Sequence, residues 1–120
     1  MASYKDLVVW QKAIQLSSGI YRLTASFPRS EQFGLTNQMR RASVSIASNI
    51  AEGNGRFTKA DRRNFFGIAR GSVQECVPLL ELAQRRRLLT PEEHISLKES
   101  LEEIARMLSG LINGLENRER

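Results

Sequence analysis

One cysteine, one histidine and three prolines occur in 120 residues, and these scarcities exclude several classes of protein. A lone cysteine, Cys76, cannot build an internal disulfide framework and suits a reducing compartment, so the expected location is the cytoplasm. A lone histidine, His94, removes His-rich metal tracts. It also removes the paired Glu-x-x-His motifs of di-iron helical bundles, because the residue three before it is Pro91. No Cys-x-x-Cys is present, which excludes the common zinc arrangements. No run approaches the ~20 apolar residues that span a bilayer. The start, MASYKDLVVW, has Lys5 and Asp6 before a short apolar run and lacks the basic start, long apolar stretch and cleavage site of a signal peptide. No metal, cofactor or membrane is expected.

What is present is ordinary for a folded chain. Hydrophobic residues make up 41% and charged residues 26%, enough of the former to exclude wholesale disorder. The length allows one core, and a single domain over 1–120 is expected. The net charge of +5 is unevenly spread: +2 over 1–39, +6 over 40–87 and −3 over 88–120. A basic middle beside an acidic end suits an anionic partner, and equally suits assembly between copies.

Apolar residues recur at helical spacing in four segments. Val9, Ala13, Leu16, Ile20, Leu23 and Phe27 lay one seam along a helix from about 5 to 26, which Pro28 stops. Leu35, Met39, Ala42, Ile46, Asn49 and Gly53 do the same over 35–52. That helix is rich in small residues (Ala42, Ser43, Ser45, Ala47, Ser48, Ala51), which allow close approach of a neighbouring backbone. Gly53-Asn54-Gly55 ends it in a turn. Thr58, with Asp61 three residues on, caps a third helix over 59–87 whose seam is Phe66, Ala69, Val73, Cys76, Leu80 and Ala83. Pro78 interrupts its hydrogen bonding. Because the apolar period continues in phase, a kink is expected rather than a break. Thr90-Pro91-Glu92-Glu93 starts a fourth helix over 91–115, with Leu97, Leu101, Ile104, Leu108, Leu111 and Leu115 as its seam. Glu116–Arg120 is expected to fray. The fold class follows: all-α, an up-down-up-down four-helix bundle.

Candidate chemistry is sparse. Cys76 lies on an apolar seam and His94 in the first turn of the last helix, so neither is paired with a catalytic group. Two carboxylates, Glu52 and Glu75, flank seams and need polar partners, since desolvating them alone is costly. Arg41, Arg70, Asn49, Glu52, Ser72 and Glu75 are expected to form one network that fixes helix register or a subunit contact; a polar binding groove is the alternative. No nucleophile or metal ligand accompanies them, and no enzymatic role is expected. The other concentration is basic. Arg56, Lys59, Arg63 and Arg70, with Arg62 alongside, line the turn before the third helix and one face of it. Arg40-Arg41 and Arg85-Arg86-Arg87 add charge elsewhere. Phe57 and Phe65 lie in this stretch and would stack on bases if exposed, although core packing is the expectation for Phe65. No recognisable nucleic-acid motif is present, so contacts would be to phosphates and sensitive to salt. A non-enzymatic, RNA- or DNA-binding homo-oligomer is the first expectation, and a protein-interaction scaffold the alternative.

Several stretches carry a family resemblance. They are Tyr4-x-Asp6-Leu7-x-Val9-Trp10-Gln11-Lys12-Ala13, the run from Phe27-Pro28 through Glu31-x-Phe33-Gly34-Leu35, and Gln38-x-Arg40-Arg41-Ala42-x-x-Ser45-Ile46-x-x-Asn49-Ile50-Ala51-Glu52-Gly53. With Ala69-Arg70-Gly71-Ser72-x-x-Glu75 they resemble the bacterial four helix bundle proteins, also called 23S ribosomal RNA intervening-sequence proteins. The resemblance implies an up-down four-helix subunit that assembles into a ring, a homopentamer. That family is similar in turn to the accessory variability protein of diversity-generating retroelements, a basic pentamer that binds nucleic acid and a reverse transcriptase. Pro78 departs from the family's usual pattern within the third helix.

Overall fold

A computed structural model describes residues 3–118, and among them all regular structure is helical. Four α-helices carry the fold: α1 Val8–Thr24, α2 Asn37–Asn54, α3 Lys59–Arg85 and α4 Pro91–Arg118. Each packs on its successor and α1 closes against α4, so the helices run up, down, up and down around one core. The result is a rod of 49 × 21 × 20 Å, and the expected four-helix bundle is the fold observed. The four seams meet on its axis. Ile20, Ile46, Ile50, Leu101, Ile104 and Leu108 are essentially inaccessible to water. Burying such a side chain contributes about 1.5–3 kcal/mol. Two seams shift slightly from the expected spacing, with Ile50 buried where Asn49 was placed and Ile112 buried more deeply than Leu111.

Helix ends depart from the expected positions for local reasons. Tyr4–Asp6 forms a 3-10 turn, Leu7 is extended, and α1 begins at Val8 rather than about Lys5. The Ser3 hydroxyl caps this turn by accepting from the Lys5 amide at 3.3 Å. The Tyr4 and Trp10 rings then meet edge to face at 5.0 Å and hold the turn against α1. Between α1 and α2 the chain makes a 3-10 turn, Arg29–Glu31, and one wide turn, Gln32–Thr36, that kinks at Gly34 before α2 starts. α4 continues to Arg118, past the expected end. The fraying expected for Glu116–Arg120 concerns, at 119 and 120, positions outside the described residues.

Pro78 does not break α3, which stays helical from Lys59 to Arg85. Proline has no amide hydrogen to give the Gln74 carbonyl four residues earlier. Both residues are exposed, on a face where water can take the place of that donor. α3 then ends in a Schellman turn: the Arg87 amide donates to the Gln84 carbonyl and the Leu88 amide to the Ala83 carbonyl, each at 2.9 Å. This turn needs a left-handed residue, and Arg87 supplies it at φ 61° without being glycine. α4 opens with a reciprocal capping box. The Thr90 hydroxyl accepts from the Glu93 amide at 3.1 Å and the Glu93 carboxylate accepts from the Thr90 amide at 2.8 Å.

The end of α2 comes close to the start of α3 at Gly53. A Cβ on Gly53 would sit 2.8 and 2.9 Å from two ring carbons of Phe66 and 3.1 Å from the Phe65 Cβ. Only glycine permits that contact, and Phe66 is buried, so its ring has no free space to move into. Gly53→Ala is therefore expected to lower the melting temperature, because overpacking costs about 1–3 kcal/mol and outweighs alanine's better helix propensity near a helix end. An unchanged midpoint in a thermal melt would show that α2 and α3 separate easily. Arg87→Gly should do the reverse. It removes a left-handed penalty of about 1 kcal/mol, less the chain entropy that glycine adds to the unfolded state, and a melt should show a small rise.

Candidate functional site

The α2–α3 turn gathers the basic cluster at the end of the rod that also holds the amino-terminal turn. Thr58 caps α3 by accepting from the Asp61 amide at 3.1 Å, and this places Lys59, Arg62 and Arg63 in the first turns of that helix. Arg56 lies just before it. Its guanidinium pairs with Glu52 at 2.6 Å and stacks over the Phe65 ring at 4.6 Å from the centroid. Arg62 donates to the Arg56 carbonyl at 2.9 Å and folds back over the turn. Arg70 stands apart: it reaches from α3 to the Ser109 hydroxyl of α4 at 3.3 Å. The cluster is thus brought together for Arg56, Lys59, Arg62 and Arg63, with Arg70 lying two helical turns further along. Phe57 projects from the tip with 93% of its surface exposed. Phe65 is half-buried beneath Arg56, outside the core where it was expected.

Other arginines have structural work. Arg40 donates to the Thr24 hydroxyl at 2.8 Å and to the Tyr21 carbonyl at 3.3 Å, and its guanidinium lies over the Tyr21 ring. The Tyr21 carbonyl also accepts from the Ala25 amide at 3.1 Å, so Arg40 adds a second bond there and places a cation where it suits the helix dipole. Arg85 pairs with Glu81 one turn back. Arg86 pairs at 2.7 Å with Glu31, whose side chain is only 13% exposed, and so ties the α1–α2 connection to the α3–α4 turn. Nothing in the local sequence signals that last pair.

The six groups expected to form one polar network divide. Asn49, Ser45 and Ser72 do form a chain across α2 and α3. The Asn49 amide donates to the Ser45 carbonyl at 2.8 Å and to its hydroxyl at 3.1 Å. The Ser45 and Ser72 hydroxyls are 2.9 Å apart, and Ser72 also reaches the Ile68 carbonyl at 3.2 Å. Every donor is used if the protons point from Asn49 through Ser45 and Ser72 to Ile68. Ser45 is thus the link that joins the two helices. Glu52 turns instead to Arg56, and Arg70 to Ser109. Arg41 and Glu75 both line a groove of about 300 Å³ between α2 and α3, with Gln38, Ala42 and Ser45.

No group of three or more His, Cys, Asp or Glu side chains among the described residues is placed to hold a metal ion. No helix among them is long and apolar enough to cross a membrane. His94 is half-buried against α3 in a shallow groove with Val77, Gln84 and Lys98. Cys76 is buried, and its thiol is pushed up to about 12, chiefly by burial and then by the neighbouring Glu75 carboxylate.

The sequence model of the 23S rRNA-intervening sequence proteins matches residues 5–110. The chain belongs to that family. A protein of unknown function from the S23 ribosomal protein family of Bacteroides thetaiotaomicron, solved by crystallography, has a similar structure. The TM-score is 0.82 at 28% identity, over 88% of this chain and 96% of that one. No curated protein matches the chain. For this intervening-sequence family member, the match spans the basic turn, the Asn49–Ser45–Ser72 chain and the α2–α3 groove alike.

The Cys76 shift has a measurable sign. An unfolded cysteine ionises near ~8.5, whereas the folded thiol keeps its proton until about 12. Above ~8.5 the unfolded chain therefore binds fewer protons than the folded one, and stability falls as pH rises toward the folded value. Stability at neutral pH is unaffected. A thiol reagent at pH 8 should leave the native protein unlabelled and react promptly in denaturant; rapid native labelling would contradict the burial.

Proposed function

We propose that this chain is a non-enzymatic, homo-oligomeric module whose basic surface binds RNA or DNA. The observation that carries the reading is the tip of the rod, where the fully exposed Phe57 stands among Arg56, Lys59, Arg62 and Arg63. An exposed phenylalanine is costly in water unless it meets a flat apolar surface, and a nucleobase offers one. Stacking on an aromatic side chain contributes about 1–3 kcal/mol per base and tolerates any sequence. Flanking cations supply phosphate contacts, which position the strand without reading it. A homo-oligomer would repeat this tip, so weak contacts would add through multivalency. A cytoplasmic location fits the lone thiol.

The second reading is a protein-interaction scaffold with no nucleic-acid role. It is favoured by the internal use of Arg40, Arg56, Arg70, Arg85 and Arg86, each of which already has a partner within the chain. An apolar groove between α1 and α2, lined by Trp10, Ile14, Val44 and Ala51, also suits a protein surface.

Fluorescence anisotropy separates the two. Labelled single-stranded RNA and duplex DNA are titrated at about 50 and 200 mM salt, between which phosphate-driven binding weakens steeply. Phe57→Ala should weaken single-strand binding about tenfold or more, as expected for one lost stack, and leave duplex binding nearly unchanged. The combined Arg56→Glu, Lys59→Glu, Arg63→Glu variant should abolish both. No binding of either ligand at low salt would leave the scaffold reading in place, and full affinity in the triple variant would remove this tip from consideration.

A further inference from the structure

The Glu52–Arg56 pair at the tip is held more firmly than a surface ion pair needs to be. The Gly55 amide donates to the Ala51 and Glu52 carbonyls at 3.3 and 3.1 Å, and the Arg56 amide to the Gly53 carbonyl at 3.2 Å. These bonds keep the chain coiled past α2, so Arg56 stands one helical turn beyond Glu52 and the two side chains meet on one face. The Glu52 Oε1 accepts from the Arg56 Nη2 at 2.6 Å. The guanidinium carbon lies 4.6 Å from the centre of the Phe65 ring. Phe65 is held close to α2 in turn, since a Cβ on Gly53 would lie 3.1 Å from its own Cβ. Arg62 fixes the backbone of the same residue by donating to the Arg56 carbonyl at 2.9 Å. Arg56 is thus gripped at one edge, on one ring face and along its backbone.

A free arginine side chain samples many rotamers, and a ligand that engages one must first immobilise it. Here the immobilising is done within the chain. The Arg56 Nε is shielded from water and has no hydrogen-bond partner, so a ligand reaches this guanidinium only through its Nη groups. Glu52 takes one Nη2 hydrogen. The others have no partner among the described residues, on a side chain that is 43% exposed. Phe57 follows directly in the chain, so a base stacked on its ring brings phosphates into the neighbourhood of Arg56. A carboxylate beside a phosphate also repels it. That repulsion is small at this tip, because Glu52 is 52% exposed, screened by water and already paired with a cation. Orientation therefore outweighs repulsion.

We infer that Glu52 is a positioning residue for nucleic-acid binding at the tip, holding the Arg56 guanidinium over Phe65 with its remaining Nη hydrogens available to a strand phosphate. This rests on the nucleic-acid reading above and gives a carboxylate a part in it. The hydrogen bond orients and the charge is dispensable, because an amide oxygen in the same place accepts the same hydrogen. An internal anion that competed with the strand for Arg56 would have effects of the opposite sign.

The test is the anisotropy of labelled single-stranded RNA at about 50 mM salt, where phosphate contacts are strong. Each variant is titrated well below its own melting midpoint, so that a loss of fold is not read as a loss of binding. Glu52→Ala should weaken binding about three- to tenfold, the cost of immobilising one long side chain on association. Glu52→Gln keeps the accepting oxygen and should bind as tightly as wild type or slightly more tightly. Combining Glu52→Ala with Arg56→Ala should cost nothing beyond Arg56→Ala by itself, since the carboxylate acts only through that guanidinium. Tighter binding in both Glu52 variants would make the carboxylate a competitor and overturn the inference. Unchanged affinity in Glu52→Ala, or a further loss in the combined variant, would overturn it as well and leave the nucleic-acid reading standing. A wild type that binds no strand would overturn both.

Discussion

The close approach of α2 and α3 is the constraint on which the rest depends. Gly53 lets the end of α2 rest on the Phe66 ring with no side chain between them. Further along, the Ser45 and Ser72 hydroxyls meet across the same interface. Together they fix how far apart the two helices stand and how they are registered. Small residues dominate here because a leucine at Ser45 or Gly53 would force the backbones apart and open the core. Polar contacts serve registration better than apolar ones would, since a hydroxyl pair has one satisfactory distance whereas aliphatic packing tolerates sliding.

From that interface follows the division of labour among the arginines. At the end of the rod holding the α1–α2 and α3–α4 connections, Arg40, Arg85 and Arg86 each have a partner within the chain. Arg40 closes the end of α1, and Arg86 joins two connections through Glu31. Arg87 accepts a left-handed backbone so that the chain can reverse in so few residues. At the opposite end, the turn after Gly53 presents Arg56, Lys59, Arg62 and Arg63 around an exposed phenylalanine. Surface pairs such as Arg56–Glu52 contribute little to stability, so their value lies in holding a guanidinium in place.

Membership of the intervening-sequence family and likeness to a protein of unknown function establish the fold and its lineage, and leave the activity to be argued from the site. The physical content of the site is modest but specific. It has one exposed aromatic among cations, one relay of hydroxyl and amide groups between helices, and one groove between α2 and α3 that Arg41 and Glu75 both line.

The fold was legible in the chain because helix periodicity, Pro28, Gly53, the Thr58 cap and the Thr90-Pro91 start are local signals, each acting within a few residues of itself. The seam of α3 was legible residue by residue, since all six of its expected positions are buried. Other features depend on what tertiary packing brings together. The Glu31–Arg86 pair and the Arg70–Ser109 contact join segments far apart in sequence, and no period or motif marks them. Glu52 was expected in one network with Arg41, Arg70, Asn49, Ser72 and Glu75, and the turn geometry after Gly53 gave it Arg56 instead. Ser45, one small serine among several, became a link because the register of α2 and α3 placed Ser72 beside it. Likewise, Phe57 and Phe65 are equally apolar by composition; the bend of the α2–α3 turn sends one into water and tucks the other under an arginine. The sequence by itself determined the helices and their buried faces, because those follow from hydrophobic spacing along one chain. Only the tertiary structure decided the pairings, since a charge or hydroxyl is satisfied by whichever neighbour packing delivers.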